Sequence, residues 1–139
     1  MYEDTGTTYK LIVKACGVYY LNKELYYHCF RVGSITSQKV TQKVLTDRAK
    51  LNSQRYRDLV KWGCNSEMLD WRIKTFALWY LERKKKDLSD PDYVFLAQVL
   101  KSGSIPEKFS RRQKIATVIF RQFPLLFEMY CTLCGYKIC

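Results

Sequence analysis

One stretch of this chain limits its fold more than any other. Leu69, Ile73, Phe76, Ala77 and Tyr80 recur at i, i+4, i+7, i+8 and i+11. At 3.6 residues per turn these side chains share one face, so the segment reads as an amphipathic helix. Asn65 and Ser66 offer an N-terminal cap, and Glu67 and Asp70 fall where the helix dipole favours acids. Trp71 and Trp79 lie elsewhere around the same helix. Aromatic residues on several sides call for partners on several sides, so this helix is expected near the centre of the molecule.

Further helices are expected around it. Ser34, Thr36 and Ser37 are cap candidates for a helix over residues 37–62. Val40, Val44, Leu51, Leu59 and Trp62 fall on one side of it, and Gly63 can end it. Asn52 and Ser53 mark a point where it could divide in two. Asp90 with Pro91 then forms a cap and first-turn pair, opening a short helix to Leu100 that Gly103 stops. Pro106 and Glu107 open the last helix, which Pro124 kinks or breaks. The tail LLFEMYCTLCGYKIC resumes it, with Gly135 as its stop.

Residues 8–32 read differently. YKLIV, VYYL and LYYHCFRV are rich in β-branched and aromatic residues, with turns near Gly17 and Asn22–Lys23. They suggest two or three short strands, although short apolar runs also suit a helix. The expected fold is therefore mainly α (α+β). A small N-terminal β-hairpin or meander (8–32) precedes a four- to five-helix bundle (37–139), in one compact domain spanning 1–139.

Composition narrows the classes. The chain has 139 residues, of which 47% are hydrophobic, enough to build a core and too many for a disordered tail. No apolar run approaches the roughly 18–20 residues of a membrane span, and the polar, acidic start does not resemble a secretory leader. An intracellular location, cytoplasm or nucleus, is the expectation, and six Cys there are thiols rather than disulfides. The formal charge of +11 points to a polyanionic partner.

Where that charge sits suggests the partner. Lys39, Lys43, Lys50, Arg57 and Lys61 are spaced 4, 7, 7 and 4 residues apart and fall within about 40° of one another on a helix. One line of cations suits a phosphate backbone, though a basic protein also carries lysines on any solvated face. Arg83-Lys84-Lys85-Lys86 reads as a helix end favoured by the dipole, a phosphate patch or a nuclear localisation signal. Arg111, Arg112 and Lys114 open an amphipathic stretch interleaved with Phe109, Ile115 and Phe120. That pattern suits a core helix with a basic outer face, and it could equally serve a membrane surface or a partner groove. Arg48 and Arg55 are awkward, because a continuous helix puts them in its apolar sector, where unpaired charge is costly. Either the helix breaks, or they pair with carboxylates, or that face is an open binding surface.

Cys131-x-x-Cys134-Gly135 resembles half of a zinc knuckle. His28 with Cys29, or Cys16, or Cys64, or Cys139 would have to complete a structural zinc site, because no second Cys-x-x-Cys exists. The bland alternative is buried thiols. Catalysis finds little support. His28 is the single His, and there is no nucleophile elbow, Walker loop or Rossmann glycine pattern. No homeodomain, RRM, dsRBD or C2H2 pattern occurs either.

The reading that follows is a small basic non-enzymatic binding protein, contacting DNA or RNA through a Lys/Arg face in a regulatory or accessory role. The alternative is a protein-interaction module: an accessory protein, inhibitor or adaptor acting on a partner protein. Eleven Tyr in so short a chain favour such an interface, and the composition is of the kind met in compact viral accessory proteins.

Overall fold

The computed structural model describes residues 3–19, 21–23, 40–134 and 136. Six helices occur among them: α1 (Glu3–Lys14), α2 (Gln42–Lys61), α3 (Glu67–Arg83), α4 (Pro91–Lys101), α5 (Arg111–Gln122) and α6 (Pro124–Leu133). The chain divides into two compact units, Met1–Thr41 and Gln42–Cys139.

In the first unit, the expected β-hairpin or meander over 8–32 is not seen among the described residues. Residues 8–14 belong to α1, and no strand occurs among the described residues. Tyr20 and residues 24–32 of that segment lie outside the described set. Strand preference spans only about 1 kcal/mol per residue and yields readily to context. The run Leu11-Ile12-Val13 also lacks the two-residue alternation of a half-buried strand.

The second unit is the helical bundle. Its centre is α3, which packs against α2, α4, α5 and α6. The buried side chains of α3, among them Ile73, Lys74, Ala77, Leu78, Tyr80 and Leu81, cover an arc of about 200° at 3.6 residues per turn. Caps fix α3 and its neighbours. Ser66 Oγ accepts from the Leu69 N–H at 3.1 Å. Asp90 Oδ1 accepts from the N–H groups of Asp92 at 2.9 Å and Tyr93 at 3.3 Å. Gly63 and Gly103 follow α2 and α4 at φ +78° and +62°, the left-handed region where Gly costs least. The last helix begins later than Pro106 would suggest. Ser110 caps α5 in a reciprocal box with Gln113, and Pro124 separates α5 from α6.

α2 is one unbroken helix through Asn52 and Ser53. Its buried residues are Leu45, Ala49 and Ser53, not the half-buried Val44, Leu51 and Leu59. Small residues at 49 and 53 give α2 an inward face that hydrophobicity alone does not mark. That face lies about 100° from the Lys/Arg stripe, so the stripe flanks a packed surface.

Two charged side chains of α3 are buried, and both are satisfied. Lys74 Nζ lies 2.8 Å from Asp70 Oδ2 and donates to the Ser104 carbonyl at 2.9 Å, tying α3 to the α4–α5 loop. Glu82 faces α5, where Arg112 meets it.

Candidate nucleic-acid interface

The cations singled out by sequence divide into two groups. Lys43, Lys50, Lys61, Lys85, Lys86, Arg111 and Lys114 are exposed, and none has an ion-pair partner among the described residues. Lys43 and Lys61 are separated by about 27 Å along α2 at 1.5 Å per residue. Lys39 lies outside the described residues. The other three are held by the fold. Arg57 lies 3.7 Å from Asp92, and its guanidinium sits 4.1 Å from the centroid of the Phe95 ring. It thus joins α2 to α4 while remaining 45% exposed. Lys84 lies 3.8 Å from Asp90 and is only 16% exposed. Arg112 donates to Glu82 Oε1 at 2.6 Å.

Glu82 brings together two basic clusters that are far apart in the chain. Its second oxygen lies 3.5 Å from Arg83, so the C-terminal end of α3 and the N-terminal end of α5 share one buried carboxylate. Burial pushes the Glu82 carboxyl above its usual range, while Arg112 and then Arg83 pull it down. From this point cations and rings alternate. Arg112 and Arg83 lie 5.2 and 5.8 Å from the Tyr136 ring, and Arg83 and Arg48 lie 4.9 and 5.7 Å from the Trp79 ring. Three arginines, two rings and one acid form a ladder across α5, α3 and α2.

The awkward pair on α2 now has a place. Arg48 is half-buried against Trp79, and Arg55 lines an open groove of about 430 Å³ between α2 and α3. The groove's aromatic walls are Tyr56 from α2 with Trp71, Phe76 and Trp79 from α3. Among the described residues its charged lining is Arg55 and Arg72, with no carboxylate. A helix that is apolar on all sides is normally covered on all sides. The face of α3 turned away from the core instead stays half-exposed and aromatic. A second cavity of about 700 Å³ adjoins it, sharing Tyr56, Leu69 and Trp71 as walls. Lys108 borders that cavity, 5.8 Å from the Trp71 centroid, together with the acids Glu67, Asp70 and Glu107.

Sequence reasoning missed this groove. The available signal was the pair Trp71 and Trp79 off the main stripe of α3, facing Arg48 and Arg55 on the apolar side of α2.

The cysteine motif is split by burial. Cys131 is fully buried in the core and Cys134 is exposed. Cys139, Cys29 and His28, three of the candidates to complete a zinc site, lie outside the described residues. Among the described residues no three His, Cys, Asp or Glu side chains gather as a metal site, and no helix is long and apolar enough to cross a membrane.

No protein-family model, curated protein or solved structure matches this chain.

Proposed function

We propose that this protein binds nucleic acid, without catalysis, through the cationic surface of its helical unit. The observation that carries the reading is how charge is distributed. Residues 42–139 hold nineteen Lys and Arg against ten Asp and Glu, a net charge of +9. Asp70, Glu82, Asp90 and Asp92 are used inside the fold, as ion pairs and a helix cap. The lysines of the α2 stripe and of 85–86 remain outside. With these four of the ten acids engaged in pairs and a cap, the exposed lysines outnumber the exposed acids, and a phosphate backbone complements that excess. A regulatory or accessory role follows from binding without a catalytic constellation.

The test is binding of labelled DNA and RNA across a salt series. Affinity should fall steeply as salt rises, because each phosphate contact releases counterions. Flat affinity, or no binding at low salt, overturns the proposal.

A protein-interaction role has one observation in its favour. Leu125, Leu126, Met129 and Leu133 are all exposed on α6, and Leu126, Met129 and Leu133 follow helical spacing. Pull-down after nuclease treatment separates the two readings, since a partner bridged by RNA would be lost.

A further inference from the structure

We infer that the α2–α3 groove is a stacking site for unpaired bases, so that the protein takes single-stranded nucleic acid in preference to duplex. This rests on the nucleic-acid reading above and adds the form of the polymer and the residues that select it.

Four features of the groove converge. It is open, and its volume of about 430 Å³ falls within the roughly 300–1,000 Å³ of ligand clefts. Its walls are aromatic. Among the described residues its charged lining is Arg55 and Arg72, which complements phosphate. It also lies on the helix that carries the Trp79–Arg83 end of the ladder, so a strand leaving the groove meets further cations. Sequence-tolerant single-strand sites combine these elements: cations track the backbone while rings accept the faces of successive bases. A duplex cannot use such a groove, because its base faces are already stacked on one another.

The rings are not equivalent. Trp79 carries guanidinium groups from Arg48 and Arg83, so its faces are already engaged. Trp71 is the platform. It walls both cavities, and its neighbouring cation, Lys108, lines the larger cavity and not the groove. Phe76 and Tyr56 complete the slot. Arg72, exposed beside Trp71, is placed to meet the phosphate of a stacked nucleotide.

The molecule carries its own reporter. Its three Trp are Trp62, Trp71 and Trp79. Two line the groove, and Trp62 lies outside it. The experiment titrates full-length protein with oligothymidylate, and in parallel with duplex DNA of equal length. The strand should exceed the roughly 16 nucleotides of the longest common single-strand site. Trp emission and fluorescence anisotropy are read together. Oligothymidylate should quench emission and bind at least about tenfold tighter than duplex. Trp71→Ala should lower single-strand affinity by about 5- to 150-fold, the range for one lost base stack, and leave duplex affinity unchanged. Trp71→Phe should restore most of the loss. Arg72→Glu, a surface change that leaves the core intact, should also weaken single-strand binding more than duplex binding. Duplex binding equal to or tighter than single-strand binding, or losses that do not distinguish the two polymers, overturns the inference and leaves nucleic-acid binding standing. Binding to neither polymer overturns both.

Discussion

The Arg112 guanidinium meets the Glu82 carboxylate at 2.6 Å, 30 residues away in sequence. Glu82 is 4% exposed and Arg112 48%, so one partner is inside the fold and the other reaches it from the surface. Fully buried pairs lose about 3–5 kcal/mol when broken, and half-exposure of Arg112 reduces this. Glu82→Gln should therefore cost about 1–3 kcal/mol in chemical denaturation. It should also tighten nucleic-acid binding, because the patch gains a net positive charge. Stability and affinity moving in opposite directions is the signature. Loss of both would mean that Glu82 serves only the fold.

Asp90 performs three tasks. One oxygen caps α4, and the other accepts from the Tyr80 hydroxyl at 3.2 Å and lies 3.8 Å from Lys84. Asp90→Ala should cost at least about 1 kcal/mol, the typical cost of a lost cap. Asp90→Asn keeps a cap and removes the charge, so it should cost less than about 1 kcal/mol, the scale of a partly exposed pair. Urea unfolding of the two variants checks the order. Equal losses would show that the charge, not the cap, holds this junction.

Alkaline pH should destabilise the bundle. Burial, and then nearby Glu128, push the Tyr93 phenol up to about 12. Burial, followed by Asp90, also raises Tyr80. In the unfolded chain both ionise near pH 10. Stability is therefore complete below pH 10 and falls between 10 and 12, where only the unfolded phenols are charged. Thermal melting across that window should show the fall, and Tyr93→Phe should make it shallower. A melting temperature that stays flat from pH 9 to about 12 would contradict the burial argument.

Ser53 is fully buried on α2, and its hydroxyl has no hydrogen-bond partner among the described residues. An unsatisfied buried polar group costs about 1–3 kcal/mol. Ser53→Ala should therefore leave stability unchanged or raise it by about 1 kcal/mol. A clear loss would reveal a partner for the hydroxyl.

What could be read from sequence follows the range of the forces involved. Ser66, Asp90–Pro91, Gly63 and Gly103 act within four residues, so their helix ends were visible without a fold. The stripe from Leu69 to Tyr80 was legible because one period carries it. The inward face of α2 was hidden, since Ala49 is small and Ser53 is small and polar. The groove, and the meeting of Arg83 with Arg112 at Glu82, depend on helix packing that no local spacing encodes. In α1, Leu11-Ile12-Val13 fits either backbone, and the strand reading followed residue type where the helix prevailed.

The most direct test of nucleic-acid binding is the salt dependence of affinity for wild type against the triple variant Lys43→Gln, Lys50→Gln, Lys61→Gln. These three lysines are exposed and outside the fold's ion pairs, so the variant should melt like wild type. Each phosphate neutralised contributes about 0.7 to the log–log slope on single strands and about 0.9 on duplex DNA. The account predicts a slope shallower by about 2–3 in the variant, because three phosphates are no longer neutralised. An identical slope in both proteins would contradict it.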